Sequence, residues 1–270
     1  MQTLRDKAWM WGYVISKSGL VISKSKEVPF VGPSGCSLEM AANYLGTPNA
    51  VFLNSNHDKE TLCPEYLDPL ASCPKVICAL QHGAYEETAR KISGISRQYP
   101  NICGGLIDDF IDFHGPSAKM TADDTRRVQA ALKSENPDLK LYVVQYTWQD
   151  QRDLEVYLPY IDAISLWVWV GNTYDWQVKM RMELENIARK LKKPVFLGLY
   201  MHDYGGTSQA IAMDVLETQT KKTIEFAKAG LIEGFVILLS GWFDREDHRP
   251  QVQWLKQYLD WAFGTWNKYS

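Results

Sequence analysis

Eight short apolar runs recur along the chain, mostly separated by stretches with helical spacing, and this repetition constrains the fold most strongly. Short continuous apolar runs predict strands that are buried on both faces, as parallel strands are. Strand–helix alternation repeated to eight strands favours a closed barrel over an open doubly wound sheet. We therefore predict an α/β fold, a single (β/α)8 TIM barrel that forms one domain over residues 1–270. The runs are 9–15, 50–53, 75–80, 102–107, 140–144, 163–170, 194–199 and 234–239.

Helical patterns fill many of the gaps between these runs. Thr121, followed by acidic residues in the first turn, has the composition of a helix N-terminus. The first crossover, within residues 16–49, contains only a short helix. No Gly-x-Gly-x-x-Gly motif follows the first run, which argues against a dinucleotide-binding fold. The other predicted helices are 86–97, 176–191, 208–229 and 250–263.

Composition excludes several function classes. The formal net charge of -3, without a basic block, argues against a nucleic-acid partner, and no apolar run is long enough to span a membrane. The N-terminus lacks the apolar segment of a signal peptide, although a precursor could have carried one. The five cysteines form no Cys-x-x-Cys pair, so we expect no structural zinc site and no cofactor. We expect Cys78 and Cys103 to be buried thiols, whereas Cys63 and Cys73 could form a disulfide in an exported protein.

Polar and aromatic residues follow the predicted strands, whereas Lys, Pro, Asp and Gly precede most of them. In barrels of this kind the chemistry gathers at the carboxyl ends of the strands, so this asymmetry predicts a site at that face. The residues that follow the strands, in chain order from strand two, are Asn54, Asn56, His57, Asp58, Gln81, His82, Asp108, Asp109, Asp112, Gln145, Tyr146, Trp148, Gln149, Trp167, Trp169, Asn172, Tyr200, His202, Asp203, Tyr204, Ser240, Trp242 and Asp244.

Two adjacent carboxylates, Asp108 and Asp109, directly follow the fourth strand. Neighbouring carboxylates repel, so one of them can stay protonated near neutral pH, as a general acid must. Because successive strand side chains point to opposite faces, both can face the barrel axis only if the strand has ended and twisted. Gly104 and Gly105 leave room for a neighbouring backbone or a ligand. The alternative is a loop in which Asp109 or Asp112 caps the next turn.

A second cluster, residues 200–206, places a phenol, an imidazole and a carboxylate at the end of the seventh strand. His202 or Asp203 could face the strand-four acids across the mouth of the barrel. The alternative is a turn that Asp203 stabilises beside a half-buried His202. We predict Asp108, Asp109 and Asp203 as the catalytic residues.

The chain has 10 Trp and 14 Tyr, and such large amphipathic rings suit sugars, which have an apolar face and a polar edge. Trp148 and Trp242 lie just past their strands, so we predict that they form a stacking platform. Trp167 and Trp169 are two residues apart and share a face, whereas we assign Trp9, Trp11, Trp254 and Trp261 to packing. The predicted substrate-binding residues are Gln81, His82, Tyr146, Trp148, Trp169, Tyr200, His202 and Trp242.

The Leu106-Ile107-Asp108-Asp109-Phe110 stretch resembles the strand-four Asp-Asp of the O-GlcNAcase and hyaluronidase-like glycosidases. In that family the acetamido group of the substrate is the nucleophile. The resemblance implies that Asp108 orients this group and that Asp109 is the acid/base. Other barrel glycosidases carry their acids on strands four and seven, an arrangement that would pair Asp108 or Asp109 with Asp203.

The sequence therefore favours a glycoside hydrolase acting on an oligosaccharide or glycoside. A non-catalytic carbohydrate-binding barrel would also retain the tryptophans. A metal-dependent barrel enzyme acting on a small sugar or amide is the third hypothesis. Against it, strand one lacks the His-x-His of amidohydrolases, and we predict no metal site. Its candidate ligands would be His57, His82, Asp108, Asp109, His202 and Asp203.

Overall fold

The protein forms a closed barrel of eight strands, each parallel to both of its neighbours. The computed structural model describes residues 3–15, 27–28, 31–54, 60–111 and 120–265. Each predicted apolar run overlaps one strand, so the predicted (β/α)8 TIM barrel is confirmed. The strands are β1 (Ala8–Gly12), β2 (Asn49–Phe52), β3 (Val76–Ala79), β4 (Ile102–Ile107), β5 (Lys140–Tyr146), β6 (Ala163–Trp167), β7 (Val195–Tyr200) and β8 (Gly234–Leu238).

Helices follow most of the strands. A 3-10 helix, Gln151–Tyr157, connects β5 to β6, and a π-helical segment, Asp175–Lys179, leads into α5. A short antiparallel hairpin, Glu27–Val28 with Gly32–Pro33, precedes α1. No helix in the described ranges is both long and apolar enough to cross a membrane. The α-helices are α1 (Leu38–Leu45), α2 (Pro64–Leu67), α3 (Tyr85–Ile95), α4 (Ala122–Leu132), α5 (Met180–Lys190), α6 (Met213–Lys228) and α7 (Arg249–Phe263).

The starts of α4 and α6 can be compared with the helix starts that the sequence predicted. Thr121 caps α4 as predicted: its Oγ1 accepts a hydrogen bond of 3.1 Å from the Asp124 amide, and an Asp124 carboxylate oxygen accepts one of 2.9 Å from the Thr121 amide. The helix predicted over residues 208–229 instead begins five residues late, at Met213 rather than at Ser208. Backbone hydrogen bonds that join Asp203 to Ser208 and Gln209 hold these residues in a turn.

The lower part of the barrel interior is filled by aromatic rings. Trp9 and Tyr142 pack edge-on against Phe196, with centroid distances of 5.6 and 5.3 Å. A Cβ at Gly104 would lie 2.2 Å from the carbonyl oxygen of Lys140 and 2.8 Å from the Tyr142 ring. The room that Gly104 leaves is therefore taken by the neighbouring strand and its tyrosine, not by a ligand. This packed layer closes the barrel below the site.

All five cysteines are free thiols, so Cys63 and Cys73 are not joined by a disulfide. Cys78 is buried, as predicted. Cys103 is only partly exposed, and burial raises the pKa of its thiol to about 11. Protonated thiols of this kind are poor nucleophiles, so they contribute packing rather than chemistry.

Candidate active site

A cavity of about 280 Å³ opens at the carboxyl ends of the barrel strands. Its described wall contains seven aromatic residues, two carboxylates and four aliphatic residues. The peptide bond between the two leucines at the end of β8 is cis. The lining residues are Trp11, Tyr13, Leu53, Asp108, Asp109, Val144, Tyr146, Trp167, Trp169, Tyr200, Tyr204, Leu238 and Leu239.

Trp167 forms part of this wall because a glycine on the adjacent strand makes room for it. A Cβ at Gly198 would lie 2.0 Å from an atom of the Trp167 ring, so any larger residue would displace the indole. The Trp167 Nε1–H donates a hydrogen bond of 2.8 Å to Ser165 Oγ. Trp11 packs edge-on against the same indole, with centroids 5.6 Å apart. The position of Trp167 is therefore fixed by three neighbours within the barrel.

A further part of the wall is a series of ring contacts around Trp169. Tyr146 and Tyr200 meet this indole nearly at right angles, with centroid distances of 5.5 and 6.3 Å. Tyr204 lies more nearly parallel to it, at 5.9 Å. Such mutually packed rings resist rotation, so they present preformed apolar faces to a ligand. Trp167 and Trp169, which are two residues apart, both line the cavity.

Asp108 and Asp109 both line the cavity although they are adjacent in sequence. β4 ends at Ile107, and Asp109 adopts a left-handed backbone conformation with φ of 44°. Aspartate tolerates this region better than most residues do. The turn takes Asp109 out of strand alternation, so its carboxylate can share the cavity with that of Asp108. The Asp109 amide donates a hydrogen bond of 3.0 Å to Asp108 Oδ1.

Tyr146, at the end of β5, holds the Asp109 carboxylate. Its hydroxyl donates a hydrogen bond of 2.5 Å to Asp109 Oδ1. Burial, followed by the charges of nearby groups, raises the pKa of Tyr146 far above its usual range, so the phenol remains a donor. Gln149 accepts the Tyr146 amide at 2.9 Å and donates to the Ile111 carbonyl at 3.2 Å. This amide bridge ties the end of β5 to the segment that follows Asp109.

Tyr204 is held from behind by Trp242, whose Nε1–H donates a hydrogen bond of 2.8 Å to the Tyr204 hydroxyl. Trp242 is only 4% exposed and is not among the lining residues. Its indole stacks on the imidazoles of His202 and His248, at 4.2 and 4.4 Å. Trp242 therefore supports the cavity wall, and this placement does not offer the open face that a stacking platform requires.

His202 belongs to the same buried support and does not line the cavity. Its Nδ1 lies 3.1 Å from His248 Nε2, and His248 Nδ1 lies 3.0 Å from an Asp247 carboxylate oxygen. Burial, reinforced by the neighbouring His248, lowers the pKa of His202 to about 4. Burial also lowers the pKa of His248. Both rings are therefore neutral at pH 7, with His248 donating to Asp247.

Asp203 is not among the residues that line the cavity. One of its carboxylate oxygens accepts hydrogen bonds from the Thr207 amide at 2.8 Å and the Thr207 hydroxyl at 3.0 Å. This is the turn-stabilising arrangement that the sequence left open as the alternative for residues 200–206. The structure therefore does not bring Asp203 together with the strand-four acids in this cavity.

The remaining predicted residues lie around the mouth or beyond it. Trp148 is 50% exposed and stacks on Tyr146, with centroids 6.2 Å apart and planes 12° apart. Gln81 and His82 are exposed and do not line the cavity, and the His82 ring packs near Tyr85. Trp148 is therefore a half-exposed ring packed against Tyr146, which lines the cavity.

Asn56, His57, Asp58 and Asp112 lie outside the described residues. In the ranges that the structure describes, no three His, Cys, Asp or Glu side chains gather as a metal site would require. The described candidate metal ligands are therefore separated. Asp108 and Asp109 line the cavity, His82 is exposed, and His202 is buried behind the wall.

Four aromatic residues of the wall were absent from the predicted catalytic and substrate-binding residues: Trp11, Tyr13, Trp167 and Tyr204. Trp11 had been assigned to packing, yet it and Tyr13 lie two residues apart at the end of β1. This spacing puts them on one face at the carboxyl end of a strand, a signal that would have identified both.

Comparison with solved structures establishes the fold. A provisionally assigned α-L-fucosidase from Bacteroides thetaiotaomicron is 11% identical, with a TM-score of 0.64, over 98% of this chain and 95% of that one. A chitinase domain from Pyrococcus furiosus is 12% identical, with a TM-score of 0.60, over 97% of each chain. A family 5 mannosidase from Rhizomucor miehei is 12% identical, with a TM-score of 0.56, over 84% of this chain and 87% of that one.

No protein-family model matches the chain, and no curated protein matches its sequence. The three solved structures described above are named as glycoside hydrolases, and the fold that this chain shares with them is the closed barrel of eight parallel strands. Identities this low establish the architecture alone. The chemistry must therefore be argued from the cavity.

Proposed function

We propose that the protein is a glycoside hydrolase whose acid/base chemistry is carried by Asp108 and Asp109. One observation carries the proposal: two adjacent carboxylates enter the same aromatic cavity at the carboxyl ends of the barrel strands, and Tyr146 fixes one of them. The active sites of enzymes with this fold lie at that face. Glycoside hydrolysis canonically requires two carboxyl groups beside the scissile bond.

Asp109 is the general acid in this proposal. Its Oδ1 accepts the Tyr146 hydroxyl, so a proton on the carboxyl group resides on Oδ2. In the reaction that proton passes to the glycosidic oxygen as the bond between this oxygen and the anomeric carbon breaks. Water then adds to the anomeric carbon and supplies the proton that restores the acid. The hydrogen bond from Tyr146 sets the direction from which Oδ2 donates.

Asp108 and the aromatic wall stabilise the charge that develops in the sugar. The transition state resembles an oxocarbenium ion, which carries positive charge on the sugar ring. An ionised Asp108 beside that ring attracts this charge, and aromatic faces attract cations through their quadrupoles. The Asp109 amide, which donates to Asp108 Oδ1, favours the ionised form of Asp108.

The solved structures with the same barrel support glycoside hydrolysis as the general class of reaction. They include a chitinase and a mannosidase, so the architecture is one that accommodates glycoside hydrolysis. A metal-dependent reaction finds less support, because the described ranges contain no cluster of ligands. The aromatic wall is also compatible with sugar binding without turnover, and a direct assay separates these two possibilities.

The test is hydrolysis of aryl glycosides that cover both anomers of the common hexoses and hexosamines. We expect turnover of at least one of them, and a loss of about 10²–10⁴-fold in the Asp109→Asn variant. Asparagine also tolerates the left-handed backbone at this position, so the fold should survive. Asp138→Asn is the matched control, because Asp138 is exposed and lies outside the cavity. Unchanged turnover in Asp109→Asn, or saccharide binding without any hydrolysis, would overturn the proposal.

A further inference from the structure

We infer that the sugar bound in this cavity carries a positive charge, as an amino sugar with a free ammonium group does. The inference rests on the proposed function, because it names the substrate class of the same site. Its basis is the pairing of two kinds of group in one wall: carboxylates and aromatic faces. Each of these attracts cations, and together they form the kind of aromatic cage that recognises ammonium groups.

The charged side chains in the described wall of the cavity are all carboxylates. Asp108 and Asp109 line the cavity, whereas none of its described lining residues is a lysine, arginine or histidine. The field of Asp108 also reaches two phenols of the wall: burial, with Asp108 as the next cause, raises the pKa of Tyr13. Burial raises the pKa of Tyr204, the hydrogen bond from Trp242 lowers it, and Asp108 raises it further. An anionic sugar, such as a uronate or a sulfated sugar, would enter a site of like charge and would be repelled.

The geometry of the rings suits a compact cation. The centroids of Trp169, Tyr200 and Tyr204 lie 5.4 to 6.3 Å from one another. Tyr146 adds a further ring almost perpendicular to Trp169. An ammonium group within about 6 Å of several ring faces gains from each of them, and the gain grows when water is excluded. A hydroxyl group in the same place would gain much less from the rings.

The oxygen atoms of an amino sugar could accept a hydrogen bond from the Trp11 indole N–H. Trp11 lines the cavity, and its buried indole N–H has no hydrogen-bond acceptor in the described part of the chain. A buried donor without an acceptor carries a desolvation cost that a ligand oxygen would remove. A sugar supplies such oxygens on its hydroxyl groups and ring, so the cavity fits a molecule that combines ammonium with hydroxyl oxygens.

The alternative to an ammonium group on the sugar is an acetamido group. The Asp-Asp resemblance implies an N-acetylated substrate, in which Asp108 would orient the neutral amide. The wall gives the opposite preference, because a neutral amide gains little from carboxylates and ring faces that act together on a cation. The two substrates differ only in acetylation of one nitrogen, so a matched pair of sugars separates them.

The experiment measures binding by quenching of tryptophan fluorescence with four free sugars: glucosamine, N-acetylglucosamine, glucose and glucuronate, each at pH 6 and at pH 9. We expect glucosamine at pH 6 to bind about tenfold or more tightly than glucose, and glucuronate to bind most weakly. The advantage of glucosamine should disappear at pH 9, where its ammonium group has lost a proton. The galacto series is measured in parallel, so that hydroxyl stereochemistry does not conceal the effect of charge.

Asp108→Asn should reduce glucosamine binding about tenfold and leave glucose binding nearly unchanged, whereas the Asp138→Asn control should bind both sugars as the wild type does. The inference is overturned if N-acetylglucosamine or glucose binds as tightly as glucosamine in both series. Hydrolysis of neutral or N-acetylated glycosides in that case leaves the proposed function standing. Charge-selective binding without any hydrolysis would support the inference about the charge of the ligand and would overturn the proposed hydrolytic function.

Discussion

The hydroxyl of Tyr146 lies 2.5 Å from Oδ1 of Asp109 and donates a hydrogen bond to it. Tyr146 ends β5, and Asp109 lies two residues past the end of the neighbouring strand, β4. Both residues line the cavity, so their contact joins an aromatic and an acidic part of its wall. Without this contact the Asp109 side chain could rotate away from a bound substrate. The pair therefore links the aromatic wall to the proposed acid.

Removal of the Tyr146 hydroxyl tests this link. In Tyr146→Phe we expect kcat to fall about tenfold or more while KM changes little, because the lost contact orients the acid and does not bind the sugar. Steady-state kinetics on an aryl glycoside provide the measurement. The matched control is Tyr99→Phe, which removes a hydroxyl that donates to Asp68 at 2.7 Å outside the cavity. Equal losses of kcat in the two variants would rule out a specific role for Tyr146.

Trp148 is half exposed and stacks on Tyr146, which lines the cavity. Trp148→Ala should weaken saccharide binding by about 1–3 kcal/mol, the scale of burying one large apolar side chain. KM should rise more than kcat falls, because a platform binds substrate and transition state alike. The melting temperature should remain near that of the wild type, because half of the side chain is exposed. Unaltered KM and sugar affinity would exclude Trp148 as a platform.

Trp242 should behave in the opposite way. Trp242→Ala removes a buried ring that packs on two imidazoles, and we expect it to destabilise the fold by about 3–5 kcal/mol. Trp242→Phe keeps a ring but loses the donor to Tyr204, at a cost of about 1 kcal/mol. Denaturant unfolding measures both changes. A stable Trp242→Ala protein that has lost only sugar affinity would restore Trp242 as a platform.

The buried imidazoles predict a specific acid sensitivity. The pKa of His202 is lowered to about 4 in the folded state, whereas an unfolded histidine titrates near 6.5. The unfolded state therefore binds more protons in this interval, and the free energy of unfolding falls as the pH drops from about 6.5 to 4. Full titration of His202 alone would cost on the order of 2–3 kcal/mol at pH 4.

Unfolding measured between pH 7.5 and 4 in the wild type and in His202→Gln tests this expectation. The variant lacks the titrating ring, so its stability should fall less steeply below pH 6.5, whatever its absolute stability at pH 7.5. His248, Asp203, Asp247 and Arg245 remain nearby in both proteins, so the difference between the two curves reports the titration of His202 together with its coupling to His248. Parallel curves would show that His202 does not titrate as its burial predicts.

The barrel was predictable from the sequence because its main signal is local. Each apolar run and each helix start depends on neighbouring residues, as the Thr121–Asp124 capping box illustrates. The start of α6 was not predictable, because hydrogen bonds from Asp203 to residues five and six positions ahead compete with helical periodicity. Strand ends also differ, since β6 ends at Trp167, before the apolar run does.

Side-chain direction limited prediction of the site. The sequence placed Asp108, Asp109, Tyr146, Trp169 and Tyr200 at strand ends, and all five line the cavity. It could not distinguish them from residues such as Trp242, which follow a strand equally closely but turn behind the wall. That distinction depends on contacts of Trp242, which follows β8, with His202 and Tyr204, which follow β7 and lie about 40 residues earlier in the chain.

The central claim, that Asp109 protonates the leaving group, is tested most directly by comparing leaving groups in one variant. Asp109→Asn should lose about 10²–10⁴-fold in kcat/KM on phenyl glycosides, whose leaving oxygen needs a proton. On dinitrophenyl glycosides of the same sugar, whose leaving group needs none, the loss should be less than about tenfold, because general-acid catalysis follows the basicity of the leaving oxygen. Asp138→Asn should match the wild type on both. An equal loss of kcat/KM on the two leaving groups, or no loss on either, would contradict the assignment of Asp109 as the acid.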